Sequence, residues 1–205
     1  MIDRTFIDEL ASKAPTPGGG GACAYCGALA AALSSMVCNL TLGKKAYEAV
    51  ESDVREACDE LASLQDRLIA LIDEDARAFA PLAAAYALPK GTPEERAVKD
   101  AALQDALVEA CEVPLSIMRA CARVIDLAQV LVDKGSRLAL SDAGVSALFA
   151  KAALQGASLN VLINCSSMND RARASVYLDE VRDLVDEYAV RADRAYEAVV
   201  KELEA

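Results

Sequence analysis

The sequence predicts an all-α protein, and three observations carry that prediction. Apolar residues make up 54% of the 205 positions, ample for a core, but aromatic residues supply only 4% and Trp is absent. Alanine and leucine dominate instead, a balance that favours helices packed closely through small side chains over a β architecture. Apolar residues recur at steps of three and four along most of the chain, and only short loops separate these periodic stretches. No domain boundary or internal repeat is evident, so residues 1–205 are expected to form a single domain.

Residues 3–14 read as a short helix with Phe6, Leu10 and Ala14 on one face, stopped at Pro15 because the residue before a proline is pushed out of the helical region. The turn Pro15-Thr16-Pro17-Gly18-Gly19-Gly20-Gly21 follows. A second helix is expected from about Gly20 to Leu42, ending near Gly43 with Lys44 and Lys45 beyond it, where cations meet the negative end of the helix dipole. It is apolar on every side, which predicts a central position. A third helix runs from about Tyr47 to Tyr86, with Val54, Cys58, Leu61, Leu68, Ile72 and Phe79 on one stripe.

Thr92-Pro93-Glu94-Glu95 is a strong helix start: an N-cap threonine, proline at the first helical position and a glutamate that closes a capping box. The stripe of the fourth helix passes through Leu103, Ala106, Ala110, Ile117, Val124 and Leu131 to an end at Gly135, with Pro114 expected to kink it by removing one backbone bond. Ser141 is placed to cap a fifth helix over 142–167, whose only charges are Asp142 and Lys151. Asn169-Asp170 then breaks and recaps the chain, and the sixth helix, about 171–203, sets Leu178, Val181, Val185, Tyr188, Ala192, Ala195 and Val199 on a heptad seam. The expected architecture is an elongated up-and-down bundle of about six long antiparallel helices. So thin a bundle does not easily hide two wholly apolar helices, which predicts self-association, most simply a symmetric homodimer.

Composition also narrows the function. A net charge of -11 repels phosphate backbones and anionic membranes, so no nucleic acid or membrane partner is expected. The uncharged stretch from Ala22 to Leu42 is about long enough to span a bilayer, but its Ala, Gly, Ser and Cys content transfers weakly, so it is read as a buried helix. The N-terminus lacks a secretory pattern and the seven cysteines form no framework, which points to the cytoplasm. There is no histidine, which removes Ser-His and Cys-His pairs and most zinc sites, so no metal is expected. Cys23-Ala24-Tyr25-Cys26 has redox or zinc spacing but neither a preceding strand nor a second cysteine pair, and reads as small buried residues.

Four candidates for chemistry remain. The glycines at a helix start leave backbone N–H groups exposed to an anion, although a plain hinge between two helices explains them equally well. Asp142 follows Ser141 at a helix start, where capping is its ordinary role, and Asp75 lies inside the third helix near Phe79, where a solvated face is the ordinary reading. Asn160 and Asn164 are four apart on an otherwise apolar helix, and each amide needs a partner. Either a binding site or a helix-to-helix lock satisfies that spacing.

Pro-Thr-Pro-Gly-Gly-Gly at 15–20, Leu-Thr-Leu-Gly-Lys-Lys-Ala-Tyr at 40–47, Asp-Ala-Arg-Ala-Phe at 75–79, Ser-Asp-Ala-Gly-Val at 141–145 and the stretch from Lys151 to Asn164 together resemble, in order, the cyclodeaminase/cyclohydrolase domain of the formiminotransferase-cyclodeaminase family. The chain departs from that pattern at Gly135-Ser136, where the family usually has Gly-Asn. The resemblance implies an all-helical homodimer acting on tetrahydrofolate derivatives, with no cofactor beyond that substrate. Two reactions are implied: hydrolysis of 5,10-methenyltetrahydrofolate to 10-formyltetrahydrofolate, or cyclodeamination of 5-formiminotetrahydrofolate to the methenyl compound with release of ammonia. Hydrolysis is favoured because no transferase domain is attached. A helical dimer that binds small molecules without turnover is the alternative from another class.

Under that resemblance, Asp142 or Asp75 is the catalytic carboxylate, since a methenyl cation attracts carboxylates and its attacking water needs a base. Asn160 and Asn164 are expected to bind the pterin edge. Pro17, Gly18, Gly19, Gly20 and Ser141 complete the substrate-binding set. Lys44, Lys45 and the glycine-turn amides are expected to hold the anionic glutamate tail.

Overall fold

A computed structural model describes residues 4–205, and among them every regular element is a helix. Six α-helices follow one another: α1 (Thr5–Leu10), α2 (Gly19–Thr41), α3 (Glu51–Ala87), α4 (Pro93–Lys134), α5 (Leu140–Ser166) and α6 (Arg171–Leu203), with short 3-10 turns at Lys45–Val50 and Arg137–Ala139. Five of the six are long. The first is a single short stretch with no buried residue, in place of the predicted helix over 3–14: Phe6 stacks on Tyr25 at 5.3 Å between ring centroids, whereas Leu10 and Ala14 stay exposed. Asp3 lies outside the described residues.

Start and stop signals operate much as their chemistry dictates. Thr92 accepts from the Glu95 N–H at 3.1 Å while the Glu95 carboxylate accepts from the Thr92 N–H at 3.0 Å, and Pro93 opens α4. Gly43 takes φ +72°, a left-handed backbone that glycine adopts without strain, and turns the chain out of α2. The Asp170 carboxylate accepts from the Arg173 N–H at 3.0 Å and caps α6. The expected cap at Ser141 is not made. Helix α5 begins at Leu140 after the 3-10 turn, which leaves Ser141 exposed in its first turn beside Asp142. The α4 helix continues through Pro114 to Lys134.

Helices α2, α4 and α6 run one way and α3 and α5 the other. Paired cross-links fix these directions: Arg123 to Glu60 and Lys134 to Asp53 between α4 and α3, Ser34 to Ser146 and Cys26 to the Phe149 carbonyl between α2 and α5, Lys151 to Asp193 with Gly144 against Val199 between α5 and α6, and Tyr177 to Glu112 and Arg191 to Asp126 between α6 and α4. Such half-exposed ion pairs contribute more to register than to stability. The central element is α4, which packs against α2, α3, α5 and α6 and buries Leu107, Leu115, Ile117, Met118, Ile125 and Leu131 completely or nearly so.

The prediction that α2 is central is corrected here, and α5 shares its arrangement. Both helices are long and apolar enough to cross a membrane by length and composition, yet only half or less of the apolar window of each is buried. On α2, Leu29, Met36 and Leu40 stay exposed, and on α5 the exposed set includes Phe149, Leu159 (64% exposed) and Ile163 (65%). An all-round apolar pattern therefore marks one face for the core and a second, adjoining apolar face left open to the outside.

Candidate functional site

Residue counting along antiparallel helices explains what meets at one end of the bundle. Gly19 opens α2, Asp75 lies 24 residues into α3, and Asn160 and Asn164 lie 20 and 24 residues into α5. Since α3 and α5 both run against α2, all four arrive beside the start of α2. A cavity of about 200 Å³ opens there. Its polar wall is made by Gly18, Gly19, Gly20, Asp75, Asn160 and Asn164, and its apolar wall by Ala78, Phe79, Leu82 and Ile163, with Pro15, Thr16 and Ala110 at the edge. The Thr16–Pro17 peptide is cis.

The glycine turn has a more specific job than an open anion cradle. The Gly21 N–H donates to Asp75 Oδ2 at 2.9 Å, so the anion held at the positive start of α2 is the protein's own carboxylate. A Cβ on Gly20 would overlap the Asp75 carboxyl group, so glycine at that position is what admits Asp75. Burial pushes the Asp75 carboxyl above the ordinary carboxylate value, and the Gly21 hydrogen bond partly offsets that rise. Asp75 is thus half-buried and aimed at a cavity rather than standing on a solvated helix face.

Both asparagines commit their donor ends to backbone. Asn164 Nδ2 donates to the Ala110 carbonyl at 2.7 Å, and Asn160 Nδ2 donates to the Gly156 carbonyl at 3.3 Å. The lock and the binding site offered as alternatives by their spacing are combined in Asn164: its amide ties α5 to α4 and lines the cavity. Cys23 stands near this group, and burial first, then Cys26 and Asp75, push its thiol up to about 11, which keeps it protonated.

The remaining sequence candidates are elsewhere. Lys44, Lys45, Ser141 and Asp142 gather at the opposite end of the bundle, and Pro17 packs behind Gly21 without lining the cavity. The 23 residues of α2 put roughly 35 Å of helix between the two ends. At that far end Tyr47 accepts from the Arg137 N–H at 3.0 Å, and this bond, the Ser136 hydroxyl and the nearby Lys44 and Arg137 charges hold its phenol below the usual value. Residues missed from sequence include Ala78, Phe79, Leu82, Ala110 and Ile163, all apolar and indistinguishable by type from core positions. Only their registers relative to Asp75 and Asn160 mark them.

A semi-enclosed cavity with an apolar wall, one carboxylate of raised basicity and two oriented amides has the makings of a small-molecule site with a group suited to general acid–base chemistry. Sequence comparison makes the class particular: residues 3–183 match the formiminotransferase-cyclodeaminase family model, and the chain belongs to that family. It is 48% identical over 195 residues to a methenyltetrahydrofolate cyclohydrolase of Methylorubrum extorquens, covering 95% of this chain and 94% of that one. It is 35% identical to a formimidoyltransferase-cyclodeaminase of Rattus norvegicus over 98% of this chain but only 37% of the longer protein. The fold superposes on a crystal structure of a formiminotetrahydrofolate cyclodeaminase from Thermotoga maritima with a TM-score of 0.81 at 30% identity, covering 100% of this chain and 96% of that one.

Proposed function

We propose that the protein is a methenyltetrahydrofolate cyclohydrolase, converting 5,10-methenyltetrahydrofolate and water to 10-formyltetrahydrofolate. The observation that carries this reading is the end-to-end match, at 48% identity, to a cyclohydrolase of the same length class. In the geometry that supports it, Asp75 Oδ2 is held by the Gly21 N–H while Oδ1 takes a proton from the attacking water. Oxygen bonds to the cationic methenyl carbon, the carbon–N5 bond breaks as N5 accepts a proton, and the hydroxyl proton leaves to give the formyl group, so one proton is released overall. A base raised by burial suits that first transfer, and its negative charge favours the cationic substrate. Phe79, Leu82 and Ile163 offer the apolar wall for the ring system, and no cofactor beyond the folate enters the scheme.

The same chain is proposed to work as a homodimer through the open apolar faces of α2 and α5. A two-fold axis perpendicular to these helices sets one end of a protomer against the other end of its partner. In that arrangement a partner's Lys44, Lys45, Ser141 and Asp142 would come toward the cavity, and the two lysines would reach an anionic glutamate tail. The seven cysteines, all free, support a cytoplasmic location. Cyclodeamination is the second reading, favoured by the Thermotoga maritima structure. Following loss of 5,10-methenyltetrahydrofolate absorbance decides between them: catalysed decay supports hydrolysis, whereas ammonia release from 5-formiminotetrahydrofolate without catalysed decay supports cyclodeamination. No turnover in either assay leaves a binding module.

A further inference from the structure

Pro114 sits in the middle of α4, buried, in a helix that does not break there. Proline has no N–H, so the carbonyl four residues earlier, that of Ala110, loses its helical donor. That same carbonyl accepts from Asn164 Nδ2 at 2.7 Å, the amide that lines the cavity from α5. The pairing fixes which way the amide faces. A carbonyl accepts only from the nitrogen end, so Nδ2 is committed to α4, while Oδ1 of this cavity-lining side chain has no partner among the described residues. Asn160 has the same polarity, with Nδ2 on the Gly156 carbonyl and its oxygen likewise without a partner.

We infer that Pro114 is a positioning residue for substrate selection: by stripping the Ala110 carbonyl of its helical donor it orients Asn164 so that the cavity presents acceptor oxygens, which select a substrate edge carrying adjacent N–H donors. This inference rests on the folate reading, where the pterin ring's 2-amino group and neighbouring ring N–H form such an edge. A helix lock alone needs no proline, since many side-chain pairs would join α4 to α5. An alanine at position 114 restores the backbone N–H, gives the Ala110 carbonyl its ordinary partner and frees Asn164 to turn.

The test is Pro114→Ala, read three ways. The thermal midpoint is expected to rise, as a helical hydrogen bond is regained, while KM for 5,10-methenyltetrahydrofolate rises roughly tenfold and kcat stays within about twofold, the scale of one lost directed hydrogen bond. Asn164→Ala should give a similar KM, and the double variant no more than either alone, because both act through one amide. In the free protein, the Asn164 side-chain NH₂ resonances should exchange slowly with solvent in the wild type and rapidly in Pro114→Ala. Multiplying KM effects, an unchanged KM, or an unchanged Asn164 amide signal would overturn the inference. Failure of wild-type turnover would sink the folate reading instead and still leave the amide measurement to decide the polarity.

Discussion

The two ends of the bundle carry different sets of the candidate groups. At the start of α2 the glycine turn, Asp75, Asn160 and Asn164 converge on a cavity with an apolar wall. At its finish, Lys44 and Lys45 stand exposed near the Tyr47 to Arg137 bond, with Ser141 and Asp142 in the first turn of α5. The first end has a half-buried carboxylate and directed hydrogen bonds but no cation among the described residues that line the cavity, and the second has exposed cations. The difference teaches that a long helix carries its motifs to opposite poles, which the proposed pairing with another copy would reunite.

Replacing Asp75 with Asn keeps the shape and removes the base, and should lower kcat by about 10³-fold while circular dichroism stays unchanged. If it leaves turnover intact, the cavity end is not the reacting end. The same variant sharpens the account through pH. Burial raises the folded-state value of Asp75, so the folded protein binds the proton more tightly than the unfolded chain. The stability of the wild type relative to Asp75→Asn should therefore fall as pH rises from about 3.8 through the folded value, and then level off. The acid limb of kcat/KM should track the same folded value and vanish in the variant.

Next in size is Leu159→Glu, which puts a charge in the open apolar face. Sedimentation should show monomer, with activity down by roughly 10²-fold or more if the far end completes the site. A monomer with full activity would break the pairing of the two ends. Gly20→Ala displaces the Asp75 carboxylate from the Gly21 N–H, and should lower kcat by about 10²-fold with little change in KM. The smallest effect belongs to Lys45→Ala. It should weaken affinity for a polyglutamate folate by roughly severalfold, and less as salt is raised, without touching a monoglutamate substrate.

The fold was legible because its signals are local. The Thr92 capping box, the stop at Gly43 and the seam from Val181 to Val199 each depend on a few neighbouring residues and appear as expected. The fifth helix starts two residues early, at Leu140, because a 3-10 turn from Arg137 to Ala139 supplies its entry without any side-chain cap. The centrality of α2 was misjudged for a different reason: apolarity on every side says nothing of how much of that surface the fold covers, and here it covers half of the apolar window. For the site, the two asparagines were visible as polar groups on an apolar helix and Asp75 through the family resemblance, but their meeting with the glycine turn depends on helix lengths. Counting back from each turn, with 24 residues from Glu51 to Asp75 against 22 from Gly19 to Thr41, was a signal available in the sequence. The role of Ala110 was not, since its contribution is a carbonyl released by a proline four residues away.

The union of the two ends is tested most directly by mixing subunits. Asp75→Asn and Asp142→Asn, each inactive alone, are unfolded together and refolded as an equal mixture. If each site takes Asp75 from one protomer and Asp142 from its partner, half of the dimers are mixed and each of those has one intact site, so activity should recover to about a quarter of wild type. No recovery from two well-folded inactive variants would contradict the account, as would full activity of Asp142→Asn on its own.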